Sequence, residues 1–295
     1  MEDYLIKGMA AGNEIRYFAA YTRESVEKAR EIHNTSPVCS AAMGRLLTGG
    51  ALMGSMCKND TDVLTLKVEG NGPIHSITVT ADAKSNVKGI IYNNNVDLPL
   101  KPNKHLDVAS AVGLGVLTVI RDEGLKEPYV GTTALMTSEI GDDLTYYFAE
   151  SEQIPTSVGL GVLVDTDCSI KHAGGFIIQL LPFASEETIS KLEESIAKVK
   201  SVTEYFDKGM TVEEMMRSII GEEVFGTDIS IEEKRSVQYK CNCSRERVIK
   251  ALISIGRKEL QSIINDGEPI TMHCDFCNSD YKFEIDEIKQ LMTEI

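Results

Sequence analysis

The stretch VLTLKVEGNGPIHSITVTAD, residues 63–82, alternates apolar and polar side chains on either side of GNGP, a cluster of turn residues. Successive side chains of an extended chain point to opposite faces, so this period of two predicts a half-buried β-hairpin, continuing to Ile91. Working downstream, strands are expected to about residue 182, through EPYVGTTALM (127–136), DDLTYYFAES (142–151) and GGFIIQLLP (174–182). Upstream, NEIRYFAAYT (13–22) puts Ile15, Tyr17 and Ala19 on one side of an extended chain. RESVEKAREIHNTSP (23–37) then reads as a helix that Pro37 stops, and SAAMGRLLTGGALMGSMC (40–57) as a helix of small and Met residues packed closely inside a core.

VGLGVL occurs twice, from Val112 and from Val158. Neither copy has the third glycine of a dinucleotide-binding loop, because Thr118 and Val164 stand in its place, so these glycines are expected to serve tight packing. After Pro182 the pattern turns helical. Ile189, Leu192, Ile196 and Val199 recur at helical spacing behind a candidate N-cap, Ser185, with Glu186 and Glu187 in the first turn. Thr211 and Glu214 have the spacing of a capping box at the start of TVEEMMRSII. Residues 184–235 carry 13 acidic and 7 basic side chains. Such amphipathic, strongly charged helices depend on docking against something else, which makes the segment either an ordinary connection or one poised to undock.

The whole chain has 295 residues and a formal net charge of −15. That charge opposes nucleic-acid binding, which Lys and Arg drive by neutralising phosphates. The N-terminal MEDYLIKGMAAGNE lacks the apolar run of a secretory signal, and no stretch reaches the roughly 18 apolar residues of a membrane span. A cytoplasmic protein is expected, where clustered cysteines read as metal ligands or redox groups before structural disulfides.

Four of the seven cysteines cluster: Cys241 and Cys243 in CNC, then, 30 residues on, Cys274 and Cys277 in CDFC. Two close pairs across such a linker describe a four-thiolate tetrahedral zinc site, closed to water and substrate and hence structural. His273 is adjacent but superfluous to a complete set. In CxC both sulfurs project to one face of an extended chain, which suits a shared ion and makes a mutual disulfide awkward. CxxC has more slack and is expected to oxidise first. Lys240, Arg245 and Arg247 beside the first pair either lower thiol pKa or offset the charge of four thiolates on one ion. Around these ligands, Val248, Leu252 and Ile255 form one helical stripe, KELQSIINDG a second helix, YKFEI a strand and DEIKQLMTEI a last helix. A module of some 55 residues with so thin a core is of the size that a metal commonly stabilises.

CNCSRER, CDFC and the trailing YKF, with SPVCSAAMGRLLTGG, VEGNGPI, DDLTYYFAESEQIPTSVG and AGGFIIQLLP upstream, run in the order found in the Hsp33 family of redox-regulated chaperones, which the sequence closely resembles. The resemblance implies an ATP-independent holdase, inactive while reduced with one Zn2+ per chain on Cys241, Cys243, Cys274 and Cys277. It further implies that oxidation pairs Cys274 with Cys277 and Cys241 with Cys243, releases the metal, unfolds the C-terminal module and exposes surface for unfolding or oxidatively damaged client proteins. The active form would be a homodimer, with no nucleic-acid or membrane partner and no catalytic residue. Cys39, Cys57 and Cys168 lie outside the motif and are expected to be buried small apolar residues.

Two other classes compete with this reading. A nucleic-acid-binding zinc ribbon is disfavoured by the 8 basic and 10 acidic side chains of residues 240–295. A thiol-disulfide oxidoreductase wants CxxC near a βαβ pattern, and a hydrolase wants a nucleophile, base and oxyanion donor that residues 1–182 do not assemble. Asp142 and Asp143 are expected to be solvated turn residues. The expected architecture is α+β: a large strand-rich N-terminal domain (1–183), a helical acidic linker that is redox-responsive and a candidate client-binding segment (184–238), and a small C-terminal zinc-binding redox-switch domain (239–295).

Overall fold

The computed structural model describes residues 1–293. The chain gathers into two compact units, Met1–Lys240 and Cys241–Ile295. The first unit opens with a hairpin, β1 (Tyr4–Ala10) and β2 (Ile15–Tyr21), followed by helices α1 (Arg23–His33) and α2 (Pro37–Gly54). Pro37 does not end α1. That helix stops at His33, with Asn34 in the left-handed conformation (φ 47°), and Pro37 opens α2, where its missing N–H costs nothing.

The hairpin read from residues 63–82 is present as β3 (Val63–Gly70) and β4 (Ser76–Asp82), in register Val63↔Asp82 to Glu69↔Ser76. β5 (Asn86–Ile91), a short α3 (Val108–Val112), β6 (Gly115–Asp122) and β7 (Tyr129–Ala134) follow. After α4 (Gly141–Tyr147) come β8 (Thr156–Val164) and β9 (Ile170–Leu180). The remaining elements of this unit are α5 (Glu186–Ile196), α6 (Val202–Asp207), α7 (Val212–Ile220), α8 (Glu222–Phe225), β10 (Ser230–Ser236) and β11 (Gln238–Tyr239). They form a five-stranded sheet, β10-β1-β2-β9-β8, and a six-stranded sheet, β11-β5-β4-β3-β6-β7.

Helix α2 lies in the main core that draws on both sheets, and its small residues explain how closely it packs. A Cβ on Gly50 would come within 2.8 Å of Val79 on β4, and one on Gly44 within 2.5 Å of Val26 on α1 and 2.9 Å of Val162 on β8. Strand β2 is buried on both faces. Phe18 and Ala20 enter the core with α2, whereas Ile15, Tyr17 and Ala19 enter a second core with Phe176, Ile178 and the helices after residue 184.

That second core seats the acidic segment. Leu192, Val202, Phe206, Val212, Met215, Met216, Ile219 and Ile220 are buried in it, and the charged faces remain outside. The expected caps are formed: Thr188 N–H donates to Ser185 Oγ at 3.2 Å, and Thr211 and Glu214 cap each other reciprocally. The repeated glycines serve close packing as expected. A Cβ on Gly115 would lie 1.8 Å from the Glu69 carbonyl oxygen, and one on Gly159 2.5 Å from the Phe176 ring.

Three expectations fail here. DDLTYYFAES is not a strand but α4 followed by a π-helical turn, Phe148–Glu152. Asp143 is not solvated: it is 1% exposed, and its carboxylate accepts the N–H groups of Met136, Thr137, Ser138 and Ile140, which fixes the turn that launches α4. Of the outlying cysteines, Cys39 is buried, Cys57 half-buried and Cys168 exposed, because Cys168 sits in the β8–β9 turn at φ 68°.

The second unit contains α9 (Arg245–Ser254), α10 (Arg257–Asp266), the hairpin β12 (Ile270–Cys274) and β13 (Ser279–Phe283), and α11 (Ile285–Thr293). The last two residues of the expected final helix lie outside the described residues. Among the described residues, the core of this unit has five buried side chains, Leu252, Leu260, Phe283, Ile288 and Leu291, with partly buried apolar residues packed around them.

Two outcomes follow from this packing. Ile219 is 1% exposed, so Ile219→Ala is expected to destabilise the first unit by about 2–5 kcal/mol, with limited proteolysis cutting within 184–236 before the rest of that unit. Glu139 loses by burial but gains more from Lys101 and Arg45, which together hold its carboxyl below the usual range. Because the folded value is the lower one, this contribution is present above the ordinary carboxylate pKa and vanishes as pH falls through the folded value. Urea unfolding should show Glu139→Gln less stable than wild type by on the order of 2 kcal/mol at neutral pH, with the gap closing below about pH 4.

Candidate metal centre

Cys241 and Cys243 lie in an irregular stretch that leads into α9, whose N-cap is Ser244. Ser244 Oγ accepts the Arg247 N–H at 3.3 Å, so the chain turns into the helix directly behind the second sulfur. Cys274 ends β12, and Cys277 lies in the β12–β13 turn. There the N–H groups of Cys277 and Asn278 both donate to the Cys274 carbonyl, at 3.2 and 2.8 Å, with Asn278 left-handed at φ 53°. The turn thus folds the two CxxC sulfurs towards one point.

All four Sγ atoms lie within 4.8 Å of one another, with Cys241–Cys274 at 3.7 Å and Cys243–Cys277 at 3.3 Å. A tetrahedral thiolate centre with metal–sulfur bonds of about 2.3 Å requires sulfurs about 3.8 Å apart. The donor set and its spacing therefore fit a metal ion. All four are half-buried, unbridged thiols. His273 stands outside the cluster: it lies on the other face of the hairpin, with Nδ1 2.6 Å from Asp280 Oδ1, its cross-strand partner.

The thiols are unequal. Burial and the neighbouring sulfurs push Cys241 up to about 12, and burial also raises Cys274. Burial works against the Cys277 thiolate too, but hydrogen bonds with Ser279 and Cys243 outweigh it and hold Cys277 down at about 7. Of the bases expected beside the first pair, Arg245 is turned away to packing. Arg245 donates to Glu287 at 2.6 Å and lies 4.4 Å over the Phe283 ring, which makes it part of the packing around the core.

Sequence reasoning missed two polar neighbours of the sulfurs. Tyr281 donates its hydroxyl to Cys243 Sγ at 3.1 Å, and Ser279 Oγ lies 3.3 Å from Cys277 Sγ. The alternation in SDYKF, which sets Ser279, Tyr281 and Phe283 on one face, is the signal that could have found them. Sequence reasoning also missed Tyr239, two residues before Cys241. Its ring is buried in the main core of the first unit, and its hydroxyl donates to the Gly89 carbonyl at 3.0 Å and lies 3.1 Å from His33 Nε2.

No helix among the described residues is long and apolar enough to cross a membrane. The family model for Hsp33 protein matches residues 3–284. A 33 kDa chaperonin of Lachnoclostridium phytofermentans is 55% identical over 293 residues, covering 99% of both chains. One from Agathobacter rectalis is 50% identical over 291 residues, covering 99% of this chain and 100% of its own. The crystal structure of the 33 kDa chaperonin (heat shock protein 33 homolog) from Thermotoga maritima superposes with a TM-score of 0.89 at 34% identity, covering 100% of this chain and 99% of that one. With the strand-rich first unit, its helical segment and the four-cysteine cluster all in place, the chain belongs to the Hsp33 family.

Proposed function

We propose that this chain is a redox-regulated holdase, working without ATP, that is silent when reduced and captures unfolding or oxidatively damaged proteins when oxidised. The observation that carries this reading is the convergence of four thiols on one point in a module whose apolar core is only five buried side chains. Family membership supports the chaperone activity and lends none to the nucleic-acid or oxidoreductase readings.

In the reduced state Cys241, Cys243, Cys274 and Cys277 hold one Zn2+. Bound there, zinc supplies a cross-link with an apparent binding energy of roughly 10–16 kcal/mol, more than so small a core provides. A peroxide then acts on the thiolates. One thiolate attacks a peroxide oxygen, the O–O bond breaks, and a sulfenic acid and hydroxide result; the partner thiol displaces the sulfenic oxygen as water. Each thiol pair thereby gives up two electrons to one peroxide in becoming a disulfide, and the peroxide leaves as one water and one hydroxide, which solvent protonates to a second water. We assign the pairs as Cys274–Cys277 and Cys241–Cys243. The contacts at 3.7 and 3.3 Å run across these pairs, so the folded cluster favours ligation, and the disulfides form as it opens.

Loss of the thiolate donors leaves the module without its cross-link. Its unfolding begins one residue after Lys240, whose N–H is bonded to the Val87 carbonyl at 2.8 Å at the end of the first unit. The segment 184–238, helices α5–α8 followed by β10, then loosens. Its departure uncovers Ile6, Tyr17 and Ile178 on the sheet, together with its own Met215, Met216 and Ile219, a contiguous apolar surface for a client. We place the protein in the cytoplasm, where the thiols start reduced, and take the active form to be a homodimer.

Light scattering from a heat-unfolding client tests the reading. The peroxide-oxidised chain is expected to suppress aggregation and the reduced zinc-loaded chain to leave it unchanged; equal suppression by both would reduce the cluster to a structural role. Replacing Cys274 and Cys277 together with Ser should lower zinc content and uncouple activity from oxidation, and unchanged zinc content would sink the ligand assignment. Stripping the metal from the reduced chain with a chelator should unfold the second unit, read as loss of amide-exchange protection that begins in residues 241–293 and then extends into residues 184–238.

A further inference from the structure

The hairpin that carries two of the thiols also sets two hydroxyls against the sulfurs. β12 and β13 pair Ile270 with Phe283, Met272 with Tyr281, and Cys274 with Ser279. Directly opposed residues share a face, as do alternate residues along each strand, so these six form one side of the hairpin. The other side carries His273, Asp280 and Lys282, all exposed. On the inner side the chemistry changes in order along β13. Phe283 is buried in the module core, the Tyr281 side chain is partly buried against that same core, and Ser279 has reached the thiols.

Packing alone does not ask for a hydroxyl at 281, since a phenylalanine ring fills the same space. The hydroxyl's partner is the sulfur of Cys243, 38 residues away in the other half of the cluster. A phenol donates, and a sulfur in its thiolate form can only accept. The two halves of the cluster also differ in how the backbone holds them. Cys274 and Cys277 are fixed by the strand end and by two N–H bonds to the Cys274 carbonyl, whereas Cys243 lies in neither helix nor strand.

We propose that Tyr281 is a positioning residue of the metal centre: its O–H···S bond orients the Cys243 thiolate and draws off part of its charge, which tightens metal binding and slows attack by Cys243 on a peroxide. Four thiolates around a dication leave two negative charges in excess, and donors behind the ligands relieve them. Ser279, whose Oγ accepts the Cys277 thiol at 3.3 Å, can turn its own O–H to the sulfur once Cys277 is a thiolate and then plays the same part from the same face of the hairpin. The inference rests on reading the cluster as a zinc centre, and it adds a group that sets how readily the centre is lost.

The test uses the full-length reduced chain and Tyr281→Phe, which removes the hydroxyl and keeps the ring, with Tyr281→Leu as the packing control. Zinc affinity, measured by competition with a chromophoric chelator, is expected to fall about tenfold in Tyr281→Phe, in keeping with loss of a partner behind a metal ligand. With Co2+ as the probe, the sulfur-to-cobalt charge-transfer bands should shift in that variant, a signature that a packing role would not produce. Peroxide oxidation of Cys243, followed by mass spectrometry, should quicken. Wild-type affinity and spectrum in Tyr281→Phe, with a loss only in Tyr281→Leu, would overturn the proposal and leave the zinc reading intact. If Tyr281→Phe does not fold, Ser279→Ala decides: a weaker site supports the pair of donors, and an unchanged one rejects it. A wild-type chain that takes up no zinc defeats both readings at once.

Discussion

Four sulfurs from two segments, held within 4.8 Å of one another, are the constraint on which the second unit depends. Ordering one residue's backbone costs about 1–2 kcal/mol, and burial of five apolar side chains returns only part of that cost over some 55 residues. The unit's helices follow the same logic. α9 and α10 each bury one residue fully, Leu252 and Leu260, and otherwise expose polar faces. If the module is stabilised through a metal on these sulfurs, as proposed, it inherits their chemistry, and whatever removes thiolates removes the fold.

The first unit is built on a different principle. There α2 is buried along almost its whole length, and the sheets approach it closely because Gly44, Gly50 and Gly54 present no side chain where Val162, Val79 and Ala81 press in. The core formed around it does not need the acidic helices. Those helices attach to the opposite face of β1, β2 and β9, through a second cluster that includes their own Met215, Met216, Ile219 and Ile220. Two cores sharing one sheet can differ in stability, and the peripheral one is the part a local opening would expose.

Legibility in the sequence tracked whether the deciding forces were local. β3 and β4 announced themselves because one face is buried and the other is not, which writes a period of two into Leu64, Leu66 and Val68 and into Ile77, Val79 and Ala81. The cysteine cluster was legible from spacing alone. α4 was not: at seven residues it is too short to show helical periodicity, and it is launched by the Asp143 carboxylate gathering four N–H groups from the preceding turn. β10 was also missed, because IEEKRS carries almost no apolar residue. Its pairing with β1 is backbone hydrogen bonding, supported by Lys7–Glu233 at 2.6 Å, while Lys234–Glu213 at 2.8 Å ties it to α7. Cys168 was misread because a residue's mean tendency to be buried says nothing about one turn.

The join between the units narrows how a change in one could reach the other. β10 belongs to the five-stranded sheet and β11 to the six-stranded one, and only Val237, itself 4% exposed, separates them. Tyr239 then fixes the strap by placing its hydroxyl among Gly89 and His33, and Lys240 adds a last bond to Val87. The next residue is Cys241, the first of the four clustered sulfurs. With no slack between a buried tyrosine and the first sulfur, the proposed unfolding of the module would reach the strap before α5–α8. Release of β10 from β1 would strip Ile229 and the Lys234–Glu213 pair from the face that seats α7. The charged, exposed strand that sequence patterning overlooks is therefore the shortest covalent route from the sulfurs to the apolar surface that the acidic helices cover.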